Sequence, residues 1–143
     1  MIKMNNKFKI ILNYIKDLSV EIPDPEALLV SRENIKKYSL EINITSNHLK
    51  NKMIEVITKL NYKDPTNNKK KSNFEIQYST VVQILDEKIN KDELKKMILC
   101  DIQIEIYPKL EEIFLNILKN SGFPNINFEK KIDFEKLYKE KNN

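Results

Sequence analysis

Residues 14–23 read Tyr-Ile-Lys-Asp-Leu-Ser-Val-Glu-Ile-Pro, and the alternation in this stretch decides the fold of the N-terminal part of the chain. Its side chains form two sets, the apolar Leu18, Val20 and Ile22 and the polar Asp17, Ser19 and Glu21. Successive side chains of a β-strand point to opposite faces of a sheet, so this spacing predicts a strand from Leu12 to Ile22. We expect the apolar set to anchor a sheet to the core and the polar set to face away from it.

Three later segments alternate in the same way and predict three more strands. They cover residues 38–45, residues 54–62 and the stretch from about Asn73 to Leu85. Short connections between them predict an antiparallel meander with one covered face. Pro23 and Pro25 end the first strand and predict a loop, because proline cannot continue a hydrogen-bonded ladder.

The last third of the chain is typical of helices. Asn90 and Glu93 resemble a capping box, and Asp133 is a candidate cap for a short final helix. Leu110, Phe114 and Leu118 belong to an apolar stripe at helical spacing, while the segment from Ile102 to Tyr107 is ambiguous. Pro108 suits the first position of a helix. Gly122, the only glycine, suits the left-handed residue that ends one. The pattern therefore predicts an α+β fold, a four-stranded antiparallel sheet in the N-terminal two thirds with C-terminal helices, as one domain over residues 1–143.

The composition argues against an enzyme. The chain has one histidine, His48, in a predicted turn, and one cysteine, Cys100, which we expect to be a small buried apolar side chain. These two residues offer neither a metal site nor a nucleophile with a base, and a single glycine excludes a phosphate-binding loop. We therefore expect no catalytic residues, no metal and no cofactor, and we expect a binding protein.

Charge and hydropathy indicate the cellular compartment of the protein. Hydrophobic residues make up 41% and charged residues 32% of the sequence, a balance typical of globular domains. No apolar run is long enough to span a membrane, and Lys9 and Asn13 interrupt the N-terminal run, which argues against a secretory signal. We expect a cytoplasmic protein without membrane insertion. The net charge of +4 comes almost entirely from lysine, which favours codon bias over nucleic-acid binding.

Several stretches, in order, resemble the SecB family of protein-export chaperones. Residues 14–23 resemble the first strand of that family, and Phe74-Glu75-Ile76-Gln77 resembles its fourth strand. Tyr107-Pro108, Gly122-Phe123-Pro124 and Ile132-Asp133-Phe134 with Leu137-Tyr138 resemble its C-terminal signatures. The resemblance covers about residues 8–139. Tyr78-Ser79-Thr80 stands where the family usually has a Gly-Gly pair.

The resemblance implies a sheet with helices packed on one side and a homotetramer built as a dimer of dimers. It also implies a chaperone that holds unfolded secretory preproteins and delivers them to the SecA ATPase of the translocase. The acidic residues that contact SecA in the family correspond to Asp17, Glu21 and Glu75, although ordinary solvated strand residues would show the same pattern.

The resemblance further implies hydrophobic grooves for unfolded clients. The candidate groove residues are Leu40, Ile42, Phe74, Ile76, Tyr78, Ile106 and Tyr107, each of which could equally be core beneath the helices. Two alternatives to the export function stay open. One is a SecB-like chaperone dedicated to an antitoxin, and the other is a basic nucleic-acid-binding module that uses Lys69–Lys71 and the lysine-rich C-terminus.

Overall fold

The computed structural model describes residues 7–66, 72–128 and 131–141. Within these residues the strands are β1 (Phe8–Glu21), β2 (Ser39–His48), β3 (Met53–Lys63) and β4 (Asn73–Ile84). The helices are α1 (Pro25–Glu33), α2 (Lys91–Lys96), α3 (Ile102–Lys119) and α4 (Phe134–Lys141), and a π-helical stretch (Met97–Asp101) joins α2 to α3. The predicted α+β class is confirmed. The lysine tip at residues 69–71 lies outside the described residues.

The strands form one antiparallel sheet in the order β1-β4-β3-β2. Strands β2, β3 and β4 follow each other as the predicted meander. The connection through α1 carries the chain across the sheet, so β1 pairs with β4 rather than with β2. As a result β1 and β2 are the two edge strands.

The core lies between one face of the sheet and the helices. We call this the inner face; it carries Phe74 and Ile76 of β4 and Leu60 of β3, which are all fully buried. Paired residues on neighbouring strands share a face, so the face that carries Glu75 and Gln77 is the opposite one, which we call the outer face.

Two predictions for the N-terminal third are wrong. Residues after Pro23 form α1 instead of a loop, because the Asp24 side chain accepts a hydrogen bond from the Ala27 N–H at 2.7 Å and Pro25 occupies the first turn, where its missing N–H costs nothing. Leu18 and Val20 do not anchor the sheet to the core. They point to the inner face of β1, but they remain exposed because β1 is an edge strand. Ile22 does pack against the core.

The prediction that Pro108 begins a helix is also wrong, because Pro108 lies inside α3. Ile102, Ile106, Leu110, Phe114 and Leu118 recur every fourth residue and are all buried, so one helical face continues through the ambiguous segment. A buried polar contact orients this helix on the sheet, since the Thr58 hydroxyl donates to Gln103 Oε1 at 3.1 Å.

The predicted helix ends are confirmed. Asn90 Oδ1 accepts from the Glu93 N–H at 2.8 Å, and Asp133 Oδ1 accepts from the Lys136 N–H at 3.1 Å. Gly122 has a φ of 102° just after α3. A Cβ atom at Gly122 would lie 2.7 Å from a terminal carbon of Leu28, so this glycine also allows α1 to approach the end of α3.

Candidate functional site

The three acidic residues predicted to form a docking site share the outer face. Ser19 of β1 lies opposite Glu75 of β4, and Asp17 and Glu21 flank Ser19 on the same strand. The strand rise separates Asp17 from Glu21 by about 13 Å, with Glu75 between them on the neighbouring strand. Asp17 and Glu21 are exposed, whereas Glu75 is partly buried. The structure therefore brings these side chains to one surface.

A bulge in β1 sets the direction of Asp17 and Glu21. Ile15 pairs with Tyr78 and Asp17 pairs with Gln77, so Lys16 has no opposing residue on β4. An extra residue in one strand shifts the alternation of its side chains by one position. Because of this shift, Tyr14 as well as Asp17 faces outward, although the two are three residues apart.

Glu55 of β3 holds the bulge in place. Its Oε2 atom accepts hydrogen bonds from Ser79 Oγ at 2.6 Å, Lys16 Nζ at 2.9 Å and Tyr14 OH at 3.0 Å. The Ser79 and Lys16 hydrogen bonds lower the pKa of Glu55 to about 2, against the desolvation that raises it. The sequence analysis did not identify Glu55. Its only signal was one acidic side chain in the strand at residues 54–62, where apolar and polar side chains alternate.

Glu75 does not present a free carboxylate on the outer face. Lys59 Nζ lies 2.8 Å from Glu75 Oε1, and Asn61 Nδ2 lies 3.5 Å from the same atom. The hydrogen bond from Lys59 lowers the pKa of Glu75, and the hydrogen bond to Glu75 raises the pKa of Lys59. Lys63 Nζ of β3 lies 3.8 Å from Glu41 Oε2 of the edge strand β2. Lysines therefore border the acidic part of the outer face.

The predicted groove residues fall into two groups. Leu40 and Ile42 of β2 are partly exposed and pack against the core. The other five are buried in the core between the sheet and the helices: Phe74, Ile76, Tyr78, Ile106 and Tyr107. Burial raises the pKa of Tyr107, which keeps its phenol neutral. Of the seven predicted groove residues, Leu40 and Ile42 are the two that offer surface to a ligand.

An open groove of about 540 Å³ lies further along β2, between this strand and the helices. Its apolar lining comes from β2, α2 and the π-helical stretch: Ile44, Leu94, Ile98 and Leu99. Three lysines from two helices and the polar Ser46 complete the lining: Lys91, Lys95 and Lys141. Sequence reasoning missed the helical part, because the spacing of Leu94 and Ile98 does not show whether a residue is core or groove.

The single histidine and the single cysteine of the chain lie in different surroundings. His48 is exposed at the end of β2, and Cys100 is buried, where desolvation raises the pKa of its thiol. Within residues 7–66, 72–128 and 131–141, no group of His, Cys, Asp and Glu could hold a metal ion. Over the same residues, no helix has the length and apolar character needed to cross a membrane.

Comparisons with known proteins agree with this architecture. A family model described as preprotein translocase subunit SecB matches residues 2–143. A candidate SecB protein-export protein of Pelagibacter ubique is 50% identical over 141 residues, which cover 98% of this chain and 100% of that protein. The SecB protein-export protein of Bradyrhizobium diazoefficiens is 25% identical over 134 residues, which cover 94% of this chain and 81% of that protein.

A solved structure shares the fold. The SecB-like chaperone of Mycobacterium tuberculosis, in complex with a peptide from an antitoxin, matches with a TM-score of 0.63 at 11% identity. The match covers 87% of this chain and 91% of that chain. Together with the family match over nearly the whole sequence, these findings show that this chain belongs to the SecB family and is a protein-export chaperone rather than an enzyme.

Proposed function

We propose that this chain holds unfolded secretory preproteins in the cytoplasm and delivers them to a SecA-type translocase ATPase. One observation carries the proposal: the acidic residues lie on the outer face, whereas the apolar groove lies on the side of the helices. A client and a docking partner would therefore bind to opposite sides of the sheet without competing. Asp17 and Glu21, with Glu75, would attract a basic segment, which favours fast and salt-sensitive docking.

The groove beside β2 supports client binding. β2 is an edge strand, so its outer edge can pair with an extended client, and Leu40, Ile42 and Ile44 turn towards the groove side. Such binding depends on apolar burial and main-chain hydrogen bonds, which demand little of the client sequence. We propose that the five buried residues of the predicted groove form the layer beneath it.

The edge strand β1 supports assembly into a homotetramer, a dimer of dimers in which residues 1–143 form one domain per subunit. Ile15, Leu18 and Val20 are exposed on the inner face of β1, and the strand has a free edge. Exposed apolar edge strands favour association, because their apolar side chains face solvent and the N–H and C=O groups along the edge have no neighbouring strand to pair with. A second copy of the chain would cover them.

A holding assay tests the main proposal. An unfolded secretory client is diluted into buffer with a molar excess of this protein and without ATP, and we expect its refolding or aggregation to slow at least threefold. Leu94→Gln should weaken the effect, because the substitution removes part of the apolar lining of the groove. Ile104→Gln, at an exposed position on α3, is the matched control and should leave it unchanged. Unchanged client kinetics with the wild-type protein would reject the proposal.

Protection of an antitoxin is the second candidate, because the chaperone of the same fold from Mycobacterium tuberculosis was solved with an antitoxin peptide. Isolation of this protein with its bound clients from the native cell separates the two candidates. Many preproteins are expected for export, and one dedicated client would favour the antitoxin. We propose no nucleic-acid partner, and a salt titration that shows duplex or single-strand binding at moderate salt would contradict this.

A further inference from the structure

The outer face around Glu75 is rich in hydrogen-bond acceptors. Asn61 lies opposite Glu75, and Asn73 lies opposite Glu21, so both side chains share the face of these acids. The Oδ1 atoms of Asn61 and Asn73 are buried and have no hydrogen-bond partner in the part of the chain that the structure describes. Unsatisfied buried acceptors are costly, and an N–H group from outside would satisfy them.

Lys59 is a charged donor that this chain itself supplies to the acceptor cluster, beside the weaker contact from Asn61 Nδ2. It projects from β3 two residues before Asn61, and its ammonium group lies 2.8 Å from Glu75. The Lys59 side chain is 41% exposed and that of Glu75 is 22% exposed. An ion pair this open to solvent is worth little, so an incoming cation can replace the ammonium group of Lys59.

We propose that Lys59 is an intrachain competitor that sets the affinity of the outer face for a basic segment of a partner. This inference rests on the proposed docking face. A lysine- or arginine-bearing segment binds Asp17 and Glu21 directly, but it reaches Glu75 only after Lys59 leaves. The N–H groups of the segment then also donate hydrogen bonds to the side-chain amide oxygens of Asn61 and Asn73. Removal of the competitor therefore strengthens docking, whereas removal of most other charges would not.

The test compares Lys59→Gln with Lys52→Gln. Both substitutions remove one positive charge, and both release a glutamate, because Lys52 of the exposed hairpin between β2 and β3 pairs with Glu87 of the loop after β4. The probe is a fluorescent synthetic peptide of alternating arginine and serine, titrated by anisotropy at about 50 mM salt. A peptide of alternating glutamate and serine controls for non-specific binding. A third variant, Asp17→Asn, monitors the docking face itself.

We expect Lys59→Gln to lower the Kd of the basic peptide about two- to fivefold, the range that the loss of one exposed ion pair allows. Lys52→Gln, outside the acceptor cluster, should change the Kd by a smaller factor than Lys59→Gln does. Equal effects of the two substitutions, or no effect of Lys59→Gln while Asp17→Asn weakens binding, would overturn the role of Lys59 and leave the docking face standing. A basic peptide that does not bind any of these proteins would overturn both.

Discussion

The ammonium group of Lys16 lies 2.9 Å from Oε2 of Glu55, and this ion pair crosses β4 to join the bulge of edge strand β1 to β3. Glu55 is buried, and Ser79 and Tyr14 donate to the same oxygen atom. A charged group that several donors satisfy holds a strand more firmly than a solvent-exposed pair does. β1 changes its alternation at two positions, and the contact fixes the second of them, between Ile15 and Asp17, and with it the direction of Asp17 and Glu21.

Glu55 makes stability depend on pH in the acid range. Its pKa is about 2 in the folded protein, below its usual value of 4.5, so its contribution is fully present above about pH 4.5 and is lost as the pH falls towards 2. We expect Glu55→Gln to lower the free energy of unfolding at pH 7 by about 1–3 kcal/mol. Urea unfolding curves from pH 7 to pH 2.5 measure the free energy of unfolding. The difference in this free energy between variant and wild type should decrease as the pH falls.

Glu87→Gln is the control for this pH dependence. Lys52 also lowers the pKa of Glu87, but both side chains are exposed, so the substitution should change stability little at any pH. If the difference in unfolding free energy between wild type and Glu55→Gln stays constant down to pH 2.5, the assigned role of the carboxylate is wrong.

The proposed docking acids should act independently of the apolar groove. We expect the double variant Asp17→Asn and Glu21→Gln to weaken binding to a SecA-type ATPase about tenfold or more at low salt, because two exposed charges of the outer face are removed. Holding of unfolded clients should not change. Glu41→Gln, on the same face but at the β2 edge, is the matched control. Surface-immobilised ATPase and a salt series measure the effect, and full binding by the double variant would reject this docking face.

The exposed edge of β1 should control assembly. Leu18→Lys is expected to reduce the mass of the particle in light scattering, because it places a charge in the proposed contact between subunits. Leu49→Lys changes a residue of nearly equal exposure, 42% against 43%, in the hairpin between β2 and β3, and it should leave the mass unchanged. If Leu18→Lys retains the mass of the wild type at micromolar concentration, β1 is not the contact.

Gly122 should be intolerant of a side chain. Alanine at this position would adopt a φ of 102° and would press against Leu28, so we expect Gly122→Ala to cost about 1–3 kcal/mol of unfolding free energy. The double variant with Leu28→Ala separates the two causes. Backbone strain predicts that alanine costs the same in either background, and urea denaturation measures both. A cost that disappears with Leu28→Ala would show that only the contact matters.

The sequence by itself determined the class of the fold, because alternation and helical spacing depend only on which residues are apolar. Strands β2, β3 and β4 and the caps at Asn90 and Asp133 follow from such local signals. Local signals also misled at Pro108, where the buried ladder from Ile102 to Leu118 carries the helix through a residue that usually begins one. The short helix α1 was not predicted, because Pro23 and Pro25 favour a loop; in the structure Asp24 caps the helix and Pro25 fits its first turn.

Only the tertiary structure decided which residues are surface. Leu18 and Val20 have the spacing of core residues, but the chain crosses from β1 to β2 through α1 and leaves β1 at an edge. The sequence placed Asp17, Glu21 and Glu75 on polar faces, yet it contained no sign that Lys59 pairs with Glu75 or that Glu55 pairs with Lys16. Pairings of this kind depend on strand order and on the bulge in β1, both of which are set by contacts between residues far apart in the chain.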